Sequence, residues 1–311
     1  MIKHHFFGTF IEQQVVIERP GEDLFWLPGN RYWEQIGLGA GLDLEDRLAG
    51  SGYGTRIAEL PKEDFGLPMR ANTPVWGACP PTTTNKARAA ERSVPIVPPG
   101  GFHKCYGQDV ICHEGRIPVI SGLLNNVELE LVAVVTGQVH MNGAEVLGYA
   151  QGIDFAKSGM SHDRGKLSPP DDFASLTCWK EIAAIGHTLI RPTPEESSPP
   201  GDWLMEMNTP QSWQDEESNN PFNQQKTITD YAKNGPVIAG YATVGTSHWG
   251  PRAIMLGMAL TKNVASGNIK CGQDRVRCSV TGLGELNVGF GERRFTQDEL
   301  QFLETYGTFS V

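Results

Sequence analysis

Residues 126–155, NVELELVAVVTGQVHMNGAEVLGYAQGIDF, decide the fold of this 311-residue chain. The stretch opens with a run of apolar and β-branched residues in which Glu128 and Glu130 stand one residue apart. Because successive side chains of a β-strand point to opposite faces, both glutamates lie on the same face of the predicted strand. Asn142-Gly143 then gives a strong signal for a hairpin turn. The stretch therefore predicts a strand with two carboxylates on one face, followed by a hairpin.

These carboxylates predict a metal site. Two like charges on one face of a strand destabilise it unless a cation neutralises them, and a divalent ion does so effectively. Asp154 follows at the end of the next predicted strand and adds a third carboxylate. Three carboxylates held on strands suit an oxygen-preferring ion such as Mg²⁺ or Ca²⁺ better than zinc. A second interpretation also stands, in which Glu128 and Glu130 line the solvated face of an edge strand.

The overall composition is that of an acidic chain that can bury a sizeable core, with a formal charge of −10 and 39% hydrophobic residues. An acidic balance argues against binding to nucleic acid and to anionic membrane surfaces. No apolar run approaches the ~20 residues that span a membrane, and the first residues lack the apolar segment of a secretory signal. The six cysteines form no CxxC pair. These features predict a soluble, cytoplasmic protein with reduced thiols.

The 36 glycines and 21 prolines indicate many turns and therefore a strand-rich fold. The sequence predicts a small β-rich N-terminal domain over residues 1–70, a Pro- and Thr-rich linker over 71–101, and a larger catalytic domain over 102–311. Within the first domain we expect a helix over residues 42–48, with Asp43 as its N-cap. Residues 178–190 are compatible with a helix or with a pair of strands, because their apolar period does not distinguish the two.

A set of short motifs occurs in a recognisable order within residues 103–290. They are Glu128-Leu129-Glu130-Leu131, then Gly148-Tyr149 with Gly152-Ile153-Asp154, then Gly165-Lys166, then Val244-Gly245-Thr246, and finally Cys271-Gly272-Gln273-Asp274 with Gly282-Leu283-Gly284. In this order the segment resembles the fumarylacetoacetate hydrolase superfamily, with its E-x-E-L strand, G-Y…N-D segment, G-K pair, T-G-T-P loop and closing hairpin. The chain departs from that pattern at Gly152, where the family has asparagine, and after Thr246, where Ser247 replaces proline.

The resemblance implies a strand-rich α+β fold, built as a mixed β-roll preceded by a small N-terminal domain. It also implies a homodimer and a bound Mg²⁺, or Mn²⁺ or Ca²⁺ in its place. The site residues that it implies are Glu128, Glu130 and Asp154 as metal ligands, His113, Glu114 and Lys166 as catalytic residues, and Gly245 and Thr246 as substrate-binding residues.

The function implied by the resemblance is that of a divalent-metal-dependent lyase or hydrolase. Its substrate would be a small molecule, a 2-oxo acid or a 1,3-dicarbonyl compound, whose paired oxygens bind the metal. The metal then stabilises an enolate, which is common to hydrolysis, decarboxylation, hydration and dehydration. The alternative is a metal-free cyclase, or a non-catalytic binding relative, in a specialised biosynthetic pathway on the same fold.

Residue types and their spacing give little support to two other kinds of site. His103, Cys105, Cys112 and His113 are zinc-ligand types, but their spacing matches no structural zinc site. An α/β-hydrolase needs a G-x-S-x-G nucleophile motif, and the chain contains none.

Overall fold

The computed structural model describes residues 2–22, 24–38, 43–62, 64–78, 101–119, 124–136, 145–158, 179–191, 203–213, 223–228 and 251–292. These ranges contain two helices, α1 (Gly29–Gly37) and α2 (Leu44–Gly50). Their strands are β1 (Ile2–Phe7), β2 (Gln14–Glu18), β3 (Leu24–Pro28), β4 (Thr55–Ile57), β5 (Pro74–Ala78), β6 (Gly101–Tyr106), β7 (Arg116–Val119), β8 (Leu124–Thr136), β9 (Glu145–Ser158), β10 (Trp179–Ile185), β11 (Thr188–Arg191), β12 (Trp203–Asn208), β13 (Asn223–Ile228), β14 (Arg252–Ala265), β15 (Arg275–Val280) and β16 (Gly284–Glu292).

The described strands form two mixed sheets. The larger has eleven strands in the order β4-β3-β2-β1-β11-β9-β8-β14-β5-β6, with β10 paired to β9 beside this path. The smaller has five strands in the order β13-β12-β15-β16-β7. Most neighbours are antiparallel, whereas β14 with β5 and β16 with β7 are parallel. The strand-rich α+β class predicted from the sequence is therefore confirmed.

The larger sheet curls so that its last strand returns to β10. Ile111, shortly after β6, donates its N–H to Ala183 O at 2.9 Å and accepts a hydrogen bond from Ile185 N at 3.0 Å. Because β10 also pairs with β9, this part of the sheet closes around a common interior. The strands around that interior are β9, β8, β14, β5, β6 and β10. This closure brings β6, distant from β9 in the sheet order, close to the middle of β9.

The two faces of β8 pack against different hydrophobic cores. Leu129 and Leu131 face the smaller sheet and pack in one core with Val276 and Leu286. The opposite face, which carries Val132 and Val134, packs in a second core with α1 and the N-terminal strands. Glu128 and Glu130 belong to this second face, because side chains alternate along a strand.

The strand predicted over residues 128–135 is present within β8, and β8 pairs antiparallel with β9. Of the hairpin predicted over residues 139–147, only residues 145–147 are described, as the start of β9. Its turn, with Asn142 and Gly143, lies outside the described residues. The ambiguous residues 178–190 form strands β10 and β11 where they are described, separated by Gly186 and His187.

The predicted helix is confirmed as α2, but Asp43 makes no capping hydrogen bond. Its carboxylate pairs instead with Arg47, one turn further along. Asp43 is therefore confirmed at the N-cap position, whereas its side chain binds Arg47 and not a backbone N–H of the helix.

The N-terminal strands do not form a separate sheet, since β1 pairs with β11 and so extends the sheet that contains β9. Within the predicted linker, residues 74–78 form β5 between β14 and β6, while residues 79–100 lie outside the described part. The three-part division of the chain stays a prediction. No helix in the described ranges is long and apolar enough to cross a membrane.

Three histidines from different elements meet around Phe65. The ring centroid of His187 lies 4.4 Å from that of Phe65, 6.3 Å from that of His5 and 6.0 Å from that of His113. Burial, with the neighbouring charges of His5 and His113, lowers the pKa of His187 to about 3. Burial also lowers the pKa of His5, although its bond to Glu18 opposes this. The neutral forms therefore stabilise the fold.

We expect the free energy of unfolding to fall as pH drops below about 6.5, the ordinary pKa of histidine. The folded pKa of His187 is depressed, so the unfolded chain binds more protons and stability is lost by up to about 1.4 kcal/mol per pH unit for this group. Urea unfolding between pH 7.5 and 4.5 checks this. His187→Phe should flatten the slope, whereas exposed His103→Gln should leave it unchanged. Equal slopes in wild type and His187→Phe would contradict the assignment.

Candidate metal centre

Glu128, Glu130 and Asp154 converge inside the larger sheet. The register of β8 and β9 places Glu128 directly opposite Asp154, and directly opposed residues share a face. One carboxylate oxygen from each of the three residues lies within 4.8 Å of the others. Their exposed fractions are 9%, 4% and 2%. The solvated edge-strand interpretation is therefore wrong, because β8 lies between β9 and β14 and its acidic face is buried.

Gly152 lies directly opposite Glu130, on the same face. A Cβ at this position would lie 2.5 Å from Cγ2 of Val132 and 3.2 Å from Cε of Met255. No side chain fits there without moving its neighbours. Glycine at position 152, where the family has asparagine, is therefore the residue that the packing around it accommodates.

Lys104, which was not predicted as a site residue, places a positive charge beside the three carboxylates. Its Nζ lies 2.6 Å from Oδ1 of Asp154, and the two side chains are 0% and 3% exposed. His103 and Cys105 pair with consecutive residues of β5, so that Lys104 is the extra residue of a β-bulge in β6. A bulge redirects the side chains of its strand. The only sequence signal was a lysine within an apolar and aromatic strand, and its partner is 50 residues away.

A second irregularity lies beside Glu130. The register of β14 against β8 shifts between Met255 and Met258, and Gly257 within this shift has φ 109°. A positive φ of this size favours glycine. The shift lets the Gly257 N–H donate to Oε2 of Glu130 at 3.2 Å. Two of the three carboxylates are thus oriented by the strands around them.

The predicted proton-transfer pair lies in a different setting. His113 accepts a hydrogen bond from Asn287 N at 3.3 Å and lies 3.5 Å from a carboxylate oxygen of Glu114. Glu114 in turn binds Arg275 and Asn287. In the described part of the chain neither residue hydrogen-bonds to the acidic triad, and their catalytic role stays a prediction. Lys166, Gly245 and Thr246 lie outside the described residues.

The zinc alternative is not supported. Within the described ranges, the acidic triad is the group of histidine, cysteine and acidic side chains whose ligand atoms are close enough to share an ion. His103, Cys105, Cys112 and His113 are all described and do not form such a group.

Several solved structures share this architecture over nearly the whole chain. A 2-keto-3-deoxy-D-arabinonate dehydratase matches 95% of this chain and 100% of its own, with a TM-score of 0.59 and 13% identity. A fumarylacetoacetate hydrolase from Exiguobacterium antarcticum matches 94% and 100%, with a TM-score of 0.53 and 15% identity. A maleylpyruvate hydrolase from a Sphingobium species matches 94% and 100%, with a TM-score of 0.54 and 12% identity.

The chain has the fumarylacetoacetate hydrolase fold. The resemblance predicted from the sequence is confirmed, and it extends through the first hundred residues, where no motif was found. No protein-family model and no curated protein sequence matches the chain. Because one fold hosts many activities, function has to be argued from the residues of the site.

In this fumarylacetoacetate hydrolase fold, the charges of the centre fit one divalent cation. Three carboxylates carry three negative charges, and Lys104 offsets one of them. The all-oxygen donor set of the three carboxylates suits a divalent ion such as Mg²⁺ or Mn²⁺. Buried charges need such compensation, because their transfer out of water is costly.

In protein kept free of metal by a chelator, removing the charge of Asp154 and removing that of Glu128 should affect the free energy of unfolding differently. Asp154 forms an ion pair with Lys104, whereas Glu128 lies among like charges. Asp154→Asn removes the carboxylate charge beside a fully buried ammonium group and should lower the free energy of unfolding by about 3–5 kcal/mol. Glu128→Gln removes one of three clustered negative charges and should lower it far less, or raise it. Urea unfolding of both variants checks this, and equal losses would show that repulsion does not govern the centre.

Proposed function

We propose that this chain is a divalent-metal-dependent enzyme that acts on a 2-oxo acid or a 1,3-dicarbonyl compound through an enolate. The observation that carries the proposal is the buried triad of Glu128, Glu130 and Asp154, with one oxygen from each within 4.8 Å of the others. The fold of the chain also supports the proposal. The dehydratase described above, which shares this fold, has a solved complex with magnesium and 2,5-dioxopentanoate, which is a 2-oxo acid. The reaction class, a lyase or a hydrolase, follows from the sequence resemblance.

The three carboxylates would hold the ion. When bound, a divalent ion supplies Lewis acidity, which stabilises negative charge that develops on a carbonyl oxygen. Lys104 and the Gly257 N–H hold two of the carboxylates in place before any ligand arrives. Val132 and Met255 on the same side of the sheet are buried, so the strands exclude water from this region. A dry, preorganised site strengthens electrostatic interactions.

The remaining residues keep their predicted roles within this proposal. His113 with Glu114 would move the proton between substrate and solvent, since the ordinary pKa of histidine is near neutrality. Lys166 would place a positive charge against a substrate carboxylate or oxyanion. Gly245 and Thr246 would bind the substrate's carboxylate or oxo group.

A metal-free cyclase or a binding protein is the second candidate, and one observation favours it. Lys104 already places a positive charge against Asp154, as a counterion could in a site that binds no metal. However, three carboxylates with oxygens within 4.8 Å of one another repel each other, and a bound divalent ion would offset that repulsion. We therefore favour the metal-dependent enzyme.

Titration with Mg²⁺ or Mn²⁺ should stabilise the wild-type protein saturably. An ion that binds only the folded state contributes about 2.7 kcal/mol at one hundred times its Kd. Thermal unfolding measures this effect, which Glu128→Ala should abolish. Glu18→Ala is the matched control, because Glu18 is a carboxylate on β2 of the same sheet that binds Lys3 and His5. Stabilisation that persists in Glu128→Ala would contradict the site, and no response in wild type would favour the metal-free candidate.

The same variants test the chemistry. Wild type with Mg²⁺ or Mn²⁺ should convert at least one member of a panel of acylpyruvates and 2-oxo acids, followed by proton NMR of substrate and product. Glu128→Ala should lose that turnover, whereas Glu18→Ala should retain it. Turnover that survives a chelator would contradict the metal-dependent mechanism.

A further inference from the structure

The outer face of the smaller sheet carries arginines that the proposed function does not use. Val276 and Cys278 of β15, like Val288 of β16, belong to the hydrophobic core between the two sheets. Because side chains alternate along a strand, Arg275 and Arg277 of β15 lie on the opposite face, away from that core.

The register of the sheet places a third arginine beside these two. Arg275 lies opposite Gly289 of β16, which in turn lies opposite Arg116 of β7. Since neighbouring strands are about 4.8 Å apart, the Cα atoms of Arg275 and Arg116 are separated by about 10 Å, and those of Arg275 and Arg277 by about 7 Å. Gly289 between them contributes no side chain. Arg116, Arg275 and Arg277, here called the arginine cluster, can therefore reach one small ligand together.

Arg275 is held in a fixed orientation by two neighbours. Its Nε donates to Oδ1 of Asn287 at 2.9 Å, and its Nη2 pairs with the carboxylate of Glu114. Its Nη1 lies 3.7 Å from the position that a Cβ of Gly289 would take, and Cγ of Arg116 lies 3.7 Å from the same point. Within the described ranges Nη1 has no hydrogen-bond acceptor. The oriented guanidinium group thus keeps one nitrogen, on the side of Arg116, for a ligand.

The other two arginines have no partner to neutralise them. Arg116 and Arg277 are exposed, and in the part of the chain that the structure describes neither side chain forms an ion pair or a hydrogen bond. Glu114 supplies one negative charge to the cluster through Arg275. Three positive charges against one negative charge leave an excess of two. Like charges on one face of a sheet repel each other, so a bound anion would stabilise this arrangement.

The other acidic residues on this face lie to one side of the cluster. Glu206 and Glu285 are both paired with Ser279, two residues beyond Arg277 along β15. The Ser279 hydroxyl donates to Glu206 at 3.0 Å. The other two arginines of the cluster lie on the far side of Arg277, so these carboxylates do not cancel its positive charge.

We propose that the arginine cluster binds a small dianion, either a phosphate group or a dicarboxylate. A guanidinium group presents planar pairs of N–H donors that match the oxygens of phosphate and carboxylate groups. Two negative charges also match the excess charge of the cluster. The site lies on the outer face of the smaller sheet, whereas the acidic triad faces the other side of β8. The inference is therefore independent of the proposed function.

Calorimetric titration tests the site with inorganic phosphate and with succinate. The protein is first freed of divalent metal, and then of chelator by dialysis, so that neither competes for the anion. Wild type should bind at least one of the two anions saturably. Arg116→Gln and Arg277→Gln should each weaken that binding by about three- to tenfold, because each removes one charged donor at an exposed site.

Lys226→Gln is the matched control. Lys226 is an exposed cation on β13 of the same sheet, but it lies opposite Met205, a core residue, and so on the other face. Its replacement should leave anion binding unchanged. Equal weakening in Lys226→Gln and Arg116→Gln would show a general effect of charge and would overturn the site.

The two anions distinguish the ligand classes. Tighter binding of phosphate assigns a phosphorylated ligand, and tighter binding of succinate assigns a dicarboxylate, so either result supports the inference. Wild type that binds neither anion, or that binds them no more tightly than Arg116→Gln and Arg277→Gln, would overturn it. The proposed function would remain intact in that case.

Should the variants fail to fold, a protection experiment on wild type decides. Phenylglyoxal modifies accessible arginines, and mass spectrometry of the peptides locates the products. The bound anion should slow modification of Arg116 and Arg277, while Arg31, an exposed arginine on α1 that pairs with Glu34, should react at an unchanged rate. Absence of protection at the cluster, or equal protection at Arg31, would overturn the inference.

Discussion

The ion pair between Lys104 and Asp154 is the interaction on which the rest of the centre depends. A sheet interior is a poor environment for charge, and here three carboxylates lie together in it. Each needs a compensating positive charge or hydrogen bond to be stable there. Lys104 provides such compensation from within the chain, and it does so at 2.6 Å and without access to water.

That pair exists only because the sheet curls. β6 lies at the far end of the strand order from β9, so a flat sheet would separate Lys104 from Asp154 by several strands. The bridge between Ile111 and β10 returns this end of the sheet to β9. Two departures from regular strand geometry then complete the centre: the bulge at Lys104 and the shifted register at Gly257. Irregular strands at a site of this kind are a means of aiming polar groups.

Much of this could be predicted from the sequence, since it depends on local order. The period of two in β8 predicted that Glu128 and Glu130 share a face, and Asn142-Gly143 predicted a hairpin after this strand. The register that places Asp154 on that same face was not predicted from the sequence. The nature of residues 178–190 was undecided, because a short apolar run fits a helix or a strand until its neighbours are known. Asp43 lies at the predicted N-cap position, but its carboxylate binds Arg47, a partner that the capping pattern does not predict.

The sequence by itself determined the fold class, the acidic strand and the third carboxylate. These follow from the alternation of side chains along a strand and from motifs whose residues are close together in the chain. It did not determine whether the acidic face was solvated or buried, or which cation lay beside it. Only the tertiary structure decided those points. Burial of Glu128 depends on β14, more than one hundred residues further along the chain, and the partner of Asp154 comes from a bulge 50 residues earlier. Contacts of that range are set by the closure of the sheet, which no local pattern of residues encodes.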